Sequence, residues 1–129
     1  MMRTLRVRSW MLRTTSVLLA GAMVACGPGD HSDVVAGGSP ARGRAELGAV
    51  GCGSCHEIPG VRGARGLVGP PLGGIAERTM LAGRAPNTPA NMIAWIRDPQ
   101  AIEPGTAMPN LGVDERTARD MAAYLYTLR

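Results

Sequence analysis

Apolar residues fall into separated groups along the chain, and each group predicts a different kind of segment. Val17 to Ala25 (VLLAGAMVA) is an uninterrupted apolar run, preceded by Arg3, Arg6, Arg8 and Arg13 and by no acid. As a helix it would reach about 14 Å at about 1.5 Å per residue, short of the roughly 30 Å hydrocarbon core of a bilayer. Residues 1–25 therefore read as a secretory signal peptide. Gly27 to Pro40 (GPGDHSDVVAGGSP) has no helical period and is rich in Gly, Pro, Ser and Asp, so residues 26–39 read as a flexible tether and residues 40–129 as the folded domain. His31 lies in that tether and reads as solvated. Ser39 and Pro40 supply an N-cap and a first helical position for a helix reaching about Val50. Met80 falls near a helix end, ahead of the Gly- and Pro-bearing stretch Ala82 to Pro89. Met92, Trp95 and Ile96 group on one side of a short helix. In Asp114 to Leu128, Thr117, Met121, Tyr124, Leu125 and Leu128 recur at helical spacing. The downstream chain shows no β-rich alternation.

Composition sharpens this picture in two ways. A chain of 129 residues has room for one domain, and with two Trp, two Tyr and no Phe its core lacks the large aromatic groups that usually dominate buried area. A flat apolar cofactor would fill that gap. The formal charge of +4 comes from the four N-terminal Arg; beyond Cys26 ten Arg and no Lys face ten acids. No cationic stripe remains to displace counterions from phosphates, which sets nucleic-acid binding aside.

Three cysteines divide the chemistry. Cys26 follows the apolar run within Ala25-Cys26-Gly27, which resembles a bacterial lipoprotein box in which the Cys becomes the lipid-modified first residue; ordinary cleavage after Gly27 is the alternative, and both export the chain. Cys52-Gly53-Ser54-Cys55-His56 is C-x-x-C-H, the attachment pattern for a c-type haem: two thiols three apart reach the two porphyrin vinyl groups and the adjoining imidazole faces the iron. Gly53 and Ser54 are small enough to let the ring lie close. A structural disulfide, a thioredoxin-like pair and a zinc knuckle compete, but the last two need a β-α-β setting or further ligands that the chain does not offer. A sixth ligand has four candidates, Met80, Met92, Met108 and Met121. The helical settings of Met92 and Met121 suit a core. Met108, in Pro104-Gly105-Thr106-Ala107-Met108-Pro109, sits in a stretch that two prolines keep out of helix, which suits presentation of a thioether.

With these motifs in place, the stretch from about Pro40 to Arg129 resembles a class I cytochrome c. Besides C-x-x-C-H, the resemblance rests on Gly69-Pro70-Pro71-Leu72, Asp98-Pro99 and Pro104-Gly105-Thr106-Ala107-Met108, in the family's order and at similar spacings. It implies an all-α fold, about four helices wrapped around one covalently bound haem, with no room for a large substrate pocket. It further implies that the Pro70 carbonyl accepts the outer N–H of His56, that Leu72 presses on the haem face, that Trp95 lies beside the Met ligand, that Arg78 lies near the propionates, and that Gly43 and Leu47 face Tyr124 of the last helix. Cys52 to Leu72 is similar to bacterial haem domains associated with haem-copper oxidases.

His56 and Met108 together would leave no open iron position, so the chain is expected to carry single electrons and not to act as an enzyme. The expected course is from a quinol-oxidising complex to a terminal cytochrome c oxidase, on the periplasmic side of a bacterial membrane, either as a lipid-tethered shuttle or as a subunit of a complex, with neither nucleic acid nor a small-molecule substrate as partner. A peroxidase-like or gas-binding protein with an open iron site is the rival reading.

Overall fold

The computed structural model describes residues 34–129; the expected signal peptide, Cys26 and His31 lie outside the described residues. Four helices carry the fold: α1 (Pro40–Ala49), α2 (Pro89–Arg97), α3 (Pro99–Ile102) and α4 (Glu115–Leu125). Three of them start by one device. Ser39, Thr88 and Asp98 each precede a proline, and each side chain accepts an N–H of the first turn, from Arg42, Asn91 and Ala101 respectively. Proline at the first helical position forgoes a donor that has no helical partner there, and it biases the capping residue away from helical backbone. Asp114 caps α4 by accepting from the amides of Arg116 and Thr117 at 2.9 and 3.0 Å.

Helices α1 and α4 pack against each other through Gly43. A side chain there would run into the backbone of Asp120 and Met121, so the contact exists because Gly43 has none. Gly43 packs on the backbone of Asp120 and Met121, about one turn before Tyr124, whose phenol donates to the Pro59 carbonyl at 2.7 Å. Ala118, Ala122 and Ala123 of α4 are fully buried, small residues that bring neighbouring backbone close; a β-carbon on Gly38 would lie 2.7 Å from that of Ala123.

The tether read over residues 26–39 does not extend to Ser39. Val35 is 1% exposed and joins the core, Gly38 N–H donates to the Val35 carbonyl at 2.9 Å, and Ser39 N–H donates to Asp120 at 2.7 Å. Burying a Val side chain is worth about 1.5–3 kcal/mol, which Val35 gains while Val34 and Ala36 on either side stay exposed.

Met80, expected near a helix end, lies three residues past the 3-10 turn Ile75–Glu77, on a strand. Strands β1 (Met80–Leu81) and β2 (Ala85–Pro86) form a short antiparallel hairpin with Leu81 opposite Ala85. Its turn uses left-handed backbone at both Ala82 (φ 48°) and Gly83 (φ 69°), the conformation that matches strand twist in a tight hairpin. Two-residue strands carry too little alternation to be read from sequence. Among the described residues no helix is long and apolar enough to cross a membrane.

The buried charge at Asp120, 2% exposed, is answered by Arg42, whose Nε and guanidinium NH2 donate to it at 2.7 and 3.0 Å. This pairing holds the Asp120 carboxyl below its ordinary value of 3.8, against burial, which pushes it up. A depressed native value means that the charge contributes its stability above the ordinary carboxyl range and loses it as pH falls through the native value. Asp120→Asn should therefore melt at lower temperature than the parent near pH 7, with the gap narrowing as pH falls below the ordinary carboxyl range. Thermal melts of both proteins across that range check it; a gap that does not change with pH would mean that the charge adds nothing.

Candidate functional site

The site begins where α1 ends. Gly51 takes left-handed backbone (φ 88°), which turns the chain into a single 3-10 turn, Cys52–Ser54, closed by Ser54 N–H to the Gly51 carbonyl and by His56 N–H to the Cys52 carbonyl, each at 3.0 Å. Segment 64–72 is then laid along 53–57 by main-chain hydrogen bonds: Gly66 to the Gly53 carbonyl at 3.0 Å, Gly69 to Cys55 at 2.7 Å and Leu72 to Glu57 at 2.8 Å. Three glycines make this approach possible. A β-carbon on Gly53 would lie 2.6 Å from Ala64, one on Gly66 would meet the backbone of Cys55, and one on Gly69 would lie 2.6 and 2.8 Å from the two ring nitrogens of His56. Gly53 is therefore small to admit segment 64–66, a different reason from the close approach of a haem that its place in the motif suggests.

The same strapping delivers the Pro70 carbonyl to His56 Nδ1 at 2.7 Å. A carbonyl only accepts, so Nδ1 carries the imidazole proton and Nε2 keeps a free lone pair. The ring is thereby held in the tautomer that a metal ligand requires.

His56 opens onto a cavity of about 460 Å³, within the size range of small-molecule and cofactor sites. Cys52, Cys55, His56, Pro70, Leu72, Arg78, Trp95 and Met108 all line it, brought together from five stretches of chain. Most of the remaining wall is apolar, from Leu47, Ile75, Leu81, Ile96 and Leu125 among others, and Arg78 is its one charged side chain apart from the titratable His and Cys. Both cysteines are free thiols, and burial pushes the Cys52 thiol up from its ordinary value. A neutral thioether is better suited to that position than a thiolate. Two thiols, an imidazole with a free Nε2 and an apolar enclosure fit a covalently held haem.

The four methionines named in the sequence all reach this cavity, in different settings. Met92 and Met121 are 2% and 0% exposed on α2 and α4, where helical packing fixes them. Met80 is 41% exposed on β1. Met108 is half-buried on an irregular loop. Trp95 is half-buried, and its indole N–H has no hydrogen-bond partner among the described residues. Arg78 turns its guanidinium onto the carbonyls of Pro71 and Gly73, at 2.5 and 3.5 Å, so in this structure it ties down the segment that carries Pro70. Sequence reasoning missed that tie, and nothing in a lone Arg could have signalled it.

Gly69→Ala should displace the imidazole and lengthen its bond to Pro70. The check is the Nδ1–H resonance of His56 by NMR, which should shift or exchange faster in the variant; an unchanged resonance would show that the ring tolerates the added methyl group.

The comparisons with known proteins bear on the same stretch. The sequence profile described as Cytochrome c matches residues 40–129. Over 79 residues the chain is 35% identical to cytochrome c oxidase subunit 2 of Alkalihalophilus pseudofirmus, a match covering 60% of this chain and 22% of that longer protein. The profile match spans most of the chain and coincides with the helices, the strapped C-x-x-C-H turn and the cavity they enclose: the chain belongs to the cytochrome c family.

Proposed function

We propose that this cytochrome c attaches a single haem through Cys52 and Cys55, ligates its iron with His56 and Met108, and relays electrons between a quinol-oxidising complex and a terminal oxidase. Covalently bound haem c and electron transfer follow from the family; the ligands and the pathway are the proposal. The observation that carries it is the His56–Pro70 hydrogen bond at the wall of a cavity that Met108 also lines, which leaves Nε2 free for a metal. When bound, the haem supplies the one-electron iron couple. The chain's part is to hold the imidazole by Pro70 and Gly69, to exclude water with the apolar wall, and to fill the remaining iron position with a thioether that leaves no place for a substrate.

The mouth of the cavity supports a protein partner. Val68, Leu111 and Met80 line it while 78%, 45% and 41% exposed, and Leu67 beside Val68 is 88% exposed. Large apolar side chains concentrated at one opening suit contact with a partner whose own docking face carries little charge. The resemblance to an oxidase subunit favours an oxidase as that partner. Lipidation of Cys26, export to the periplasmic side of a bacterial membrane and the tether after Cys26 complete the reading; they rest on the sequence of residues outside the described ones.

Met108→Ala should open the iron, so that the variant gains azide or carbon monoxide binding and loses the Met-sulfur charge-transfer band of the ferric form, while Met108→His should keep six ligands and lower the potential, because a soft neutral thioether favours ferrous iron. A band that survives Met108→Ala but vanishes on Met80→Ala or Met92→Ala would assign another methionine. Electron transfer to a detergent-solubilised oxidase should depend only weakly on ionic strength, since the chain has no Lys and Arg78 is the one Arg, Asp or Glu lining the cavity. Stopped-flow rates at low and high salt check this, and a steep fall with salt would contradict an apolar docking face.

A further inference from the structure

The loop that carries Met108 has almost no secondary structure to hold it. Pro104 and Pro109 have no amide hydrogen to donate, Gly105 adopts left-handed backbone (φ 84°), and the hydrogen bond from Met108 N–H to the Thr106 hydroxyl is long, at 3.4 Å. One side chain supplies what the main chain lacks. Gln100 Oε1 accepts from Gly105 N–H at 3.0 Å, and its Nε2 donates to the carbonyls of Thr106 at 2.8 Å and of Met108 at 3.2 Å. The three bonds fix the amide's orientation, because its oxygen must face the N–H and its nitrogen the two carbonyls.

Gln100 can act this way because its base is fixed. It stands on α3, whose first residue, Pro99, is among the most completely buried side chains and whose cap is Asp98. The next residue out thus reaches the loop from an anchored support. At the loop's entry, Glu103 accepts Thr106 N–H through its carbonyl at 3.1 Å and pairs with Arg84 from the hairpin turn, which braces the same segment from a second side.

We propose that Gln100 is the positioning residue for the iron's Met ligand: by clamping Gly105, Thr106 and Met108 it holds the thioether at the cavity and so controls how readily that position opens. The proposal rests on Met108 being the ligand. A neutral thioether is a weak ligand, so the population of the detached state depends on how firmly the backbone beneath it is held. Loss of three exposed hydrogen bonds should raise that population about tenfold, the equivalent of one well-made bond.

The test compares the holoprotein with Gln100→Ala, Gln100→Glu and Met108→Ala. Gln100→Ala should bind azide about tenfold more tightly than the parent, with a weaker Met-sulfur charge-transfer band and faster amide exchange at Gly105, while melting within a few degrees of it. Gln100→Glu separates positioning from bulk. It keeps an acceptor for Gly105 but turns a carboxylate toward two carbonyls at neutral pH, so its band should be weak there and recover as pH falls through the carboxyl range, when a protonated oxygen can donate again. A purely structural surface contact would not make the band follow that titration. If Met108→Ala abolishes the band while both Gln100 variants keep the parent's band, azide affinity and Gly105 exchange, the positioning role is wrong and the ligand assignment stands. If the band survives Met108→Ala, the ligand assignment fails and this proposal falls with it.

Discussion

The hydrogen bond from His56 Nδ1 to the Pro70 carbonyl, 2.7 Å long, is the contact on which the site depends. It requires Pro70 to arrive beside a histidine fourteen residues earlier in the chain, and that requires segment 64–72 to lie flush against 53–57. The backbones can approach that closely only where side chains are missing, at Gly53, Gly66 and Gly69. Arg78 then holds the far end of the segment through the Pro71 and Gly73 carbonyls. The imidazole's tautomer, and with it the lone pair available to a metal, is therefore a consequence of backbone packing.

A second constraint comes from the scarcity of aromatic residues. The helices enclose a cavity of about 460 Å³ beside their buried core. What holds this frame together is the junction of α1 and α4, whose Leu47, Met121 and Leu125 also line the cavity. There Gly43 lets the backbones meet, and Asp120 collects hydrogen bonds from Ser39 and Arg42. The N-terminal part of the domain is thereby fastened to its last helix, and the intervening segments add the two thiols, the imidazole and the Pro70 carbonyl to a wall that the helices share.

Those segments divide the work chemically. The segment that holds His56 is fastened by main-chain hydrogen bonds; the loop between Pro104 and Pro109 is fastened by the Gln100 side chain. A family whose members carry electrons needs both faces of its haem held, since movement of either would change the iron's surroundings between oxidation states. Val68, Met80 and Leu111, exposed large apolar side chains, line that cavity, and Leu67 adjoins Val68.

Much of this was legible in sequence, because the signals were local. Ser39-Pro40 marks a helix start through chemistry confined to one turn, and C-x-x-C-H states its own purpose within five residues. The class of fold and the family followed from such signals taken in order. Tertiary structure alone decided how distant segments meet. That Gly43 packs on Asp120 and Met121 and that Val35 packs in the core depend on partners far along the chain, whereas the Met80 hairpin and the clamps by Arg78 and Gln100 depend on backbone carbonyls, which every residue has. A main-chain acceptor leaves no mark on composition or periodicity, so a side chain that binds one cannot be recognised until the fold has brought the two together.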